Sequence, residues 1–375
     1  MGLFFWTVLV MGQVMKAQVV KAQVIPLRAA NWDFMPGVAE FADGASGPVM
    51  KIVARGYVVL KNTDFADGTI EFDDQPVDER FASFFFHWQD SVENENFYFR
   101  TARGVGHPDA MDGVQYAPTI KGVNCWDIML HYQAPANFGQ KEPNHVRLVI
   151  SGKQMRVYVN SKEWPTLEVP RLEGNTTHGT LAFSGKAIIS HLVIRPGQTE
   201  GLSPAEGVDP TSTDPRYIRH WQVTGADSIP DPVDFSMAFK PGKQTVWSPL
   251  VAERRGLVNL TRLYGGDPGS GHSDHRISWL KTNIHADKAR QVQLRLGFLN
   301  EVWIFLNGNW LYVDKNFFRW PIAKVPDGRL SLENTMITLP LQQGDNELLI
   351  GVGSNFFGWG IMARLDDLDG IRLDR

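Results

Sequence analysis

Between His87 and Trp126 the chain crowds residue types that can act on a polar ligand or hold one. Tyr98 and Arg100 stand two apart, so on a strand they share a face, while Phe97 and Phe99 take the other. Arginine and glutamine donate to hydroxyls, and tyrosine or tryptophan offers a ring to pack against. Tyr98, Arg100, Arg103, Gln115, Tyr116 and Trp126 are therefore the candidates for holding a ligand. His87, Glu95, His107 and Asp109 are the candidates for an acid or a base. The competing expectation is a surface strand on which Arg100 pairs with Glu95 or Glu93.

Other spacings admit other chemistry. Asp109 and Asp112, in the long loop Gly104 to Gly113, supply hard oxygen donors of the kind calcium takes, although no defined calcium loop has their spacing. His272 and His275 form a His-x-x-His pair in a Gly-rich stretch, which can ligate a metal or can be a polar surface loop. No metal or other cofactor is required by any pattern, with calcium the one that could be accommodated. Glu71 and Asp73 share a strand face, as an acid and base or as a solvated surface. The single cysteine, Cys125, can make no disulfide within the chain and reads as a small buried residue. No nucleophile elbow, zinc-protease helix, phosphate loop or dinucleotide fingerprint is present, which lowers the expectation of an esterase, protease or oxidoreductase.

The elements that must position these residues are strands. Short β-rich runs recur from Lys51 to Ile194 and again from Val292 to Val352, separated by Gly, Asn and Pro, and no amphipathic helix of three turns interrupts them. Asn307-Gly308 between two apolar runs signals a tight hairpin. The expected fold is all-β, with two antiparallel β-sandwich (jelly-roll) domains in tandem over residues 26–197 and 216–375. Residues 198–215, rich in Gly, Ser, Thr, Pro and acids, read as the linker between them. Residues 1–25 open on an apolar run too short to span a bilayer and suited to a signal peptide, so a periplasmic or secreted location is expected.

Composition narrows the partners. With 375 residues, 43% of them hydrophobic and 21% charged, the chain can bury two cores. A net charge of −4 with no dense Lys/Arg run argues against nucleic acid, and no later segment is apolar enough for a membrane span. The 12 Trp and 22 Phe suit sugar-stacking platforms and Trp-rich cores equally.

Three segments of the first half carry a resemblance: Asp67-Gly-Thr-Ile-Glu-Phe-Asp73, Glu95-Asn-Phe-Tyr-Phe-Arg100 and Asp112-Gly-Val-Gln-Tyr-Ala-Pro118. Over residues 30–196 the chain resembles concanavalin A-like (laminin G-like) jelly rolls of bacterial carbohydrate use, and within them 3-keto-disaccharide hydrolase-type domains. The second half, at Val302-Trp-Ile-Phe-Leu-Asn-Gly308, Leu339-Pro-Leu-Gln-Gln-Gly-Asp-Asn-Glu-Leu-Leu-Ile350 and Phe356-Phe-Gly-Trp-Gly-Ile-Met-Ala-Arg-Leu365, resembles galactose-binding-like jelly rolls. Family 16 glycoside hydrolases of the concanavalin-like fold carry Glu-x-Asp-x-x-Glu on one strand. Here Glu71-Phe-Asp73 runs into Asp74-Gln75-Pro76 and lacks the third carboxylate.

The resemblance implies an exported carbohydrate-binding protein of bacterial polysaccharide utilisation, with the glycan on the concave face of the first sandwich. The alternatives are a glycoside hydrolase working at the same face, which would need two titratable groups in one cleft, and a structural adhesion or assembly module. Oligomeric state has no signature in the sequence.

Overall fold

Alternation decides which way each strand faces. In the strand Gly68–Pro76, Ile70 and Phe72 are wholly buried while Glu71 and Asp73 reach the surface. In Phe81–Trp88 and Glu95–Arg100 the rings of Phe84, Phe86, Phe97 and Phe99 turn the same way, into a core shared with Phe72 and Phe183. The computed structural model describes residues 21–78, 80–229, 240–266 and 275–374. Among them every strand pairing is antiparallel, and the longest α-helix is Leu260–Tyr264, so the chain is all-β as expected. The apolar N-terminal run lies wholly outside the described residues, as does His272. No described helix is long and apolar enough to cross a membrane.

Strands from Gln23 to Pro196 build two sheets. Sheet I runs in the order Leu167–Val169, Gln154–Val159, Asn144–Ser151, Gly68–Pro76, Ala187–Pro196, Gly47–Ile52 and Ala39–Gly44. Sheet II runs Gln133–Ala134, Val114–Tyr116, Glu95–Arg100, Phe81–Trp88, Thr180–Ser184, Tyr57–Leu60 and Trp32–Phe34. Hairpin neighbours alternate with strands distant in sequence, Gly68–Pro76 lying between Asn144–Ser151 and Ala187–Pro196, as in a jelly roll. The Phe-rich core lies between the two sheets, and Cys125 is buried at its edge.

Strands from His220 to Leu373 build a second pair. Sheet III is centred on Arg276–Ala286, Gly344–Ser354 and Asn300–Leu306, and sheet IV on Gly360–Leu365 and Arg290–Phe298. Trp359 is wholly buried between them. The hairpin Asn300–Leu306 to Asn309–Asn316 turns at Asn307 and Gly308 with φ of 51° and 77°. Two positive φ values are what a tight hairpin turn matching strand twist requires, and Asn-Gly supplies them cheaply.

The segment 198–215 forms no strand, yet it is pinned rather than free. Arg254 donates to the carbonyls of Gly207 and Val208, and Arg219 donates to the Thr211 carbonyl at 2.7 Å. Leu202 is buried against Val149 and Tyr158.

The two sandwiches meet on a packed junction. Leu257, Leu299 and Leu330 of the second half join the core cluster of the first. The Asp127 carboxylate accepts from the Gly358 N–H at 3.0 Å, and Leu330 N–H donates to the Asp127 carbonyl at 3.0 Å. A Cβ at Gly358 would sit 2.4 Å from that carboxylate, so only glycine allows the approach. Trp126 meets Phe318 and Phe357 edge-on, with centroids 4.7 and 5.6 Å away.

Candidate ligand-binding face

The outer face of sheet II is the side turned away from the Phe core, and it divides into two parts. On the Glu95–Arg100 side, Tyr98, Arg100 and Gln115 stand together as their spacing predicts, but they bond to one another. Tyr98 donates to Gln115 Oε1 at 2.7 Å, Arg100 Nη2 donates to Tyr98 and Gln115, and Gln133 Nε2 reaches the same Gln115 oxygen at 2.9 Å. Gln115 Nε2 in turn donates to the Trp126 carbonyl at 2.7 Å. Gln115 is 0% exposed and Arg100 8%, and burial pushes the Tyr98 hydroxyl up to about 12. Trp126, half-buried, lies over this network and is itself covered by the second sandwich.

The other part is open. Tyr57, 41% exposed, packs on Phe85 and Trp88 at centroid distances of 5.5 and 4.8 Å. Phe81, 48% exposed, stands edge-on to Tyr98 at 5.6 Å and so marks the boundary between the two parts. A groove of about 410 Å3 runs over Tyr57, Phe81, Ser83 and Phe85, rimmed by Arg55, Asp78, Arg80 and Lys186. These residues were not among those the sequence singled out. The signal was present: in Phe81–Trp88, Ser83 and Phe85 alternate with Phe84 and Phe86, so a core filled by the latter turns the former outward.

Several expectations are corrected by where the side chains point. Tyr116 and Glu95 belong to the inner side of sheet II, with the Phe residues. Tyr116 donates to Glu95 at 2.6 Å and accepts from the Glu173 N–H at 2.6 Å. Burial pushes the Glu95 carboxyl up to about 8, so it sits neutral in the end of the core and cannot serve the face that carries Tyr98. The Arg100 to Glu95 pair is excluded for the same reason. His87 is 1% exposed at a strand irregularity with φ of 47°, its Nε2 2.7 Å from the Ala66 carbonyl and its basicity lowered by burial. It reaches neither part of the outer face.

Arg103, His107, Asp109 and Asp112 do come together, in a cleft of about 540 Å3 at the junction, with Asp327 and Arg329 from the second half. Their charges are largely spent on each other: Asp112 takes Arg103 at 3.2 Å and Arg329 at 3.6 Å. Glu71 pairs with Arg195, and Asp73 lies between His145 and His191 at 2.9 and 2.8 Å. Those hydrogen bonds, led by His145, hold Asp73 below its ordinary range, which is the signature of ion pairs on the outside of sheet I. His275 is taken by Glu301 at 2.5 Å, and Glu301 also meets Lys315 at 3.2 Å. Among the described residues no cluster of three or more His, Cys, Asp or Glu side chains has the geometry to hold a metal ion. A larger cleft, about 770 Å3, lies on the second sandwich beside Tyr217, His220 and His285, away from every candidate residue.

No protein-family model matches the chain, and no curated protein matches it. Solved structures do. The chain is similar to the carbohydrate-binding module CBM66 from Bacillus subtilis, with 12% identity over 44% of this chain and 92% of that one and a TM-score of 0.32. It is similar to a Bacillus subtilis protein of unknown function with a galectin-like fold, with 14% identity, coverages of 45% and 93%, and a TM-score of 0.32. A β-glucanase from Bacillus licheniformis matches at 9% identity, with coverages of 49% and 100% and a TM-score of 0.33.

Proposed function

We propose that this protein binds carbohydrate, and that the sugar lies in the open groove of sheet II rather than on the Tyr98 and Gln115 network. The observation that carries the reading is the pair of exposed rings, Tyr57 and Phe81, set over one groove with Ser83 and charged side chains at its rim. The C–H faces of a pyranose pack on such rings, and the rim supplies donors and acceptors for hydroxyls. Among the described residues the groove has Asp78 as its one carboxylate and no histidine opposite it, so the arrangement suits binding more than bond cleavage. The test is calorimetry of the full chain against a glycan panel, with Tyr57→Ala and Phe81→Ala beside the wild type. Binding that falls about tenfold or more in either variant supports the groove. Binding that survives both removals places the sugar elsewhere, with the second sandwich's cleft the next site to probe.

A further inference from the structure

Arg100 is the one buried cation on the outer face of sheet II, and its surroundings are unusual. No carboxylate pairs with it among the described residues. Its two hydrogen bonds both leave through Nη2, to the neutral groups Tyr98 and Gln115. Nε is buried without a partner, and Nη1 bonds to no described residue. The guanidinium is boxed by the rings of Phe81, Tyr98 and Trp126, at 5.8, 5.4 and 5.6 Å. Ring faces offset part of the cost of desolvating a cation, but a buried charge without a counter-charge is expensive to keep. The carboxylates nearest this region are committed elsewhere, Asp127 to the Gly358 N–H and Asp112 to Arg103 and Arg329. Arg329 also approaches the Trp126 ring, at 5.8 Å, but it is paired with Asp112 and Asp327.

The open groove beyond Phe81 repeats the imbalance. Its described rim holds Arg55, Arg80 and Lys186 against the single carboxylate of Asp78. None of the three cations has an ion-pair partner among the described residues. This concentration of positive charge, unpaired among the described residues, stands in a chain whose net charge is −4. Fields of one sign gathered over a groove select ligands of the other sign.

We infer that the ligand of this groove is an acidic glycan, one whose carboxylate or sulfate is met by the free edge of Arg100 with Arg55, Arg80 and Lys186 around it. The inference rests on the carbohydrate-binding reading above and adds the charge class. A sugar ring packs on Phe81 and Tyr57, and its anionic group lies toward Arg100, where Phe81 separates the open and sealed parts of the face.

The test uses the full chain in calorimetry at low and high ionic strength. The probes are polygalacturonate, its fully methyl-esterified form, chondroitin sulfate, and a panel of neutral glucans and mannans. The expected result is binding of an acidic polymer that weakens as salt rises. If the anion is a carboxylate, esterification lowers affinity by about tenfold or more, the loss of one charge-assisted contact. If it is a sulfate, chondroitin sulfate binds and polygalacturonate does not. Arg100→Gln should lower acidic binding by a similar factor. Because a buried residue can disturb folding, the exposed pair Arg55→Ser with Arg80→Ser serves as the second variant, expected to lose several-fold in affinity and to flatten the salt dependence. Equal binding of polygalacturonate and its ester, salt-independent binding of a neutral glycan alone, or acidic binding untouched by both variants overturns the charge assignment and leaves the carbohydrate reading standing. Binding to no polymer of any kind overturns both.

Discussion

The two parts of one sheet face show how the same residue types can hold either a ligand or the protein itself. Tyr98, Arg100 and Gln115 have the composition of a sugar site, yet their donors and acceptors close on one another and a second sandwich covers them. Phe81 and Ser83, on the adjacent strand of the same face, and Tyr57, two strands further on, stay open. What separates the two is coverage, and coverage is decided by Trp126 together with Phe318, Phe357 and Gly358, three residues far from the site in sequence. A polar network that closes mostly on itself beneath a second sandwich specifies an interface, and what it leaves over, the unpartnered Nε of Arg100 and the partly exposed rings beside it, remains for a ligand.

The largest effect that sharpens this contrast comes from Gln115. Gln115→Ala removes the acceptor shared by Tyr98, Arg100 and Gln133 and strands a buried guanidinium, so unfolding free energy should fall by about 3 to 5 kcal/mol. Urea titration reads it. A loss under about 1 kcal/mol would mean that water reaches the network and that it is not sealed. Trp126→Ala comes next, at about 2 to 3 kcal/mol, since the ring is only half-buried but touches Phe318 and Phe357. It should also raise protease cleavage in the junction and expose Arg100. Unchanged cleavage would show that the other junction contacts, the Asp127–Gly358 bond and the packing of Leu257, Leu299 and Leu330, hold the two sandwiches together without it.

Acidity gives a third handle, through carboxyls buried within the sheets and at the junction. Burial raises Glu95 and Asp74 to about 8 and Asp127 to about 7. For an acid whose folded value is raised, the favourable contribution is complete below the ordinary carboxyl range and is lost as pH climbs to the folded value. Stability should therefore fall between about pH 4.5 and about pH 8, by up to about 1.4 kcal/mol per pH unit for each such group. Glu95→Gln keeps a partner for Tyr116 and removes one carboxyl's share, so the decline should be measurably shallower in the variant. An unaltered slope would place the titration on Asp74 and Asp127 alone.

How much of this was legible in the sequence differs between fold and site. Strand alternation pointed to the all-β class and the inward Phe97 and Phe99, and turn chemistry to the hairpin at Asn307-Gly308, because both signals are local. The pairing of Tyr98 with Arg100 on one face was equally local and holds. Its closure by the second sandwich was not, since nothing near residue 100 announces a ring at 318. Glu95 was misplaced for a related reason: two-residue spacing from Phe97 put it on the core side, but an acid in that position reads as a surface group until Tyr116 and Glu173 are seen to satisfy it. Phe81 was passed over because four phenylalanines in one strand obscure the alternation that turns Ser83 and Phe85 outward, and Tyr57 because it opens a wholly apolar strand, Tyr57–Leu60.

The smallest stability effect is expected where the functional effect is greatest. Tyr57 is 41% exposed and packs on Phe85 and Trp88 from outside the core, so Tyr57→Ala removes a surface ring and one edge contact. The loss in unfolding free energy should stay near about 1 kcal/mol, against several for Gln115→Ala. If the open part of the face is where sugar lies, the same change should take away most glycan affinity, because one side of the platform is gone while the fold is intact. Stability and binding would then dissociate across Phe81: changes are costly to stability on the sealed side, where only the Arg100 edge meets the ligand, and cheap for stability but direct for binding on the open side. A Tyr57→Ala protein that unfolds several kcal/mol more easily would show the ring to be part of the sandwich, closing the Tyr57, Phe85 and Trp88 cluster, and would leave Phe81 and Ser83 as the only open surface on this sheet.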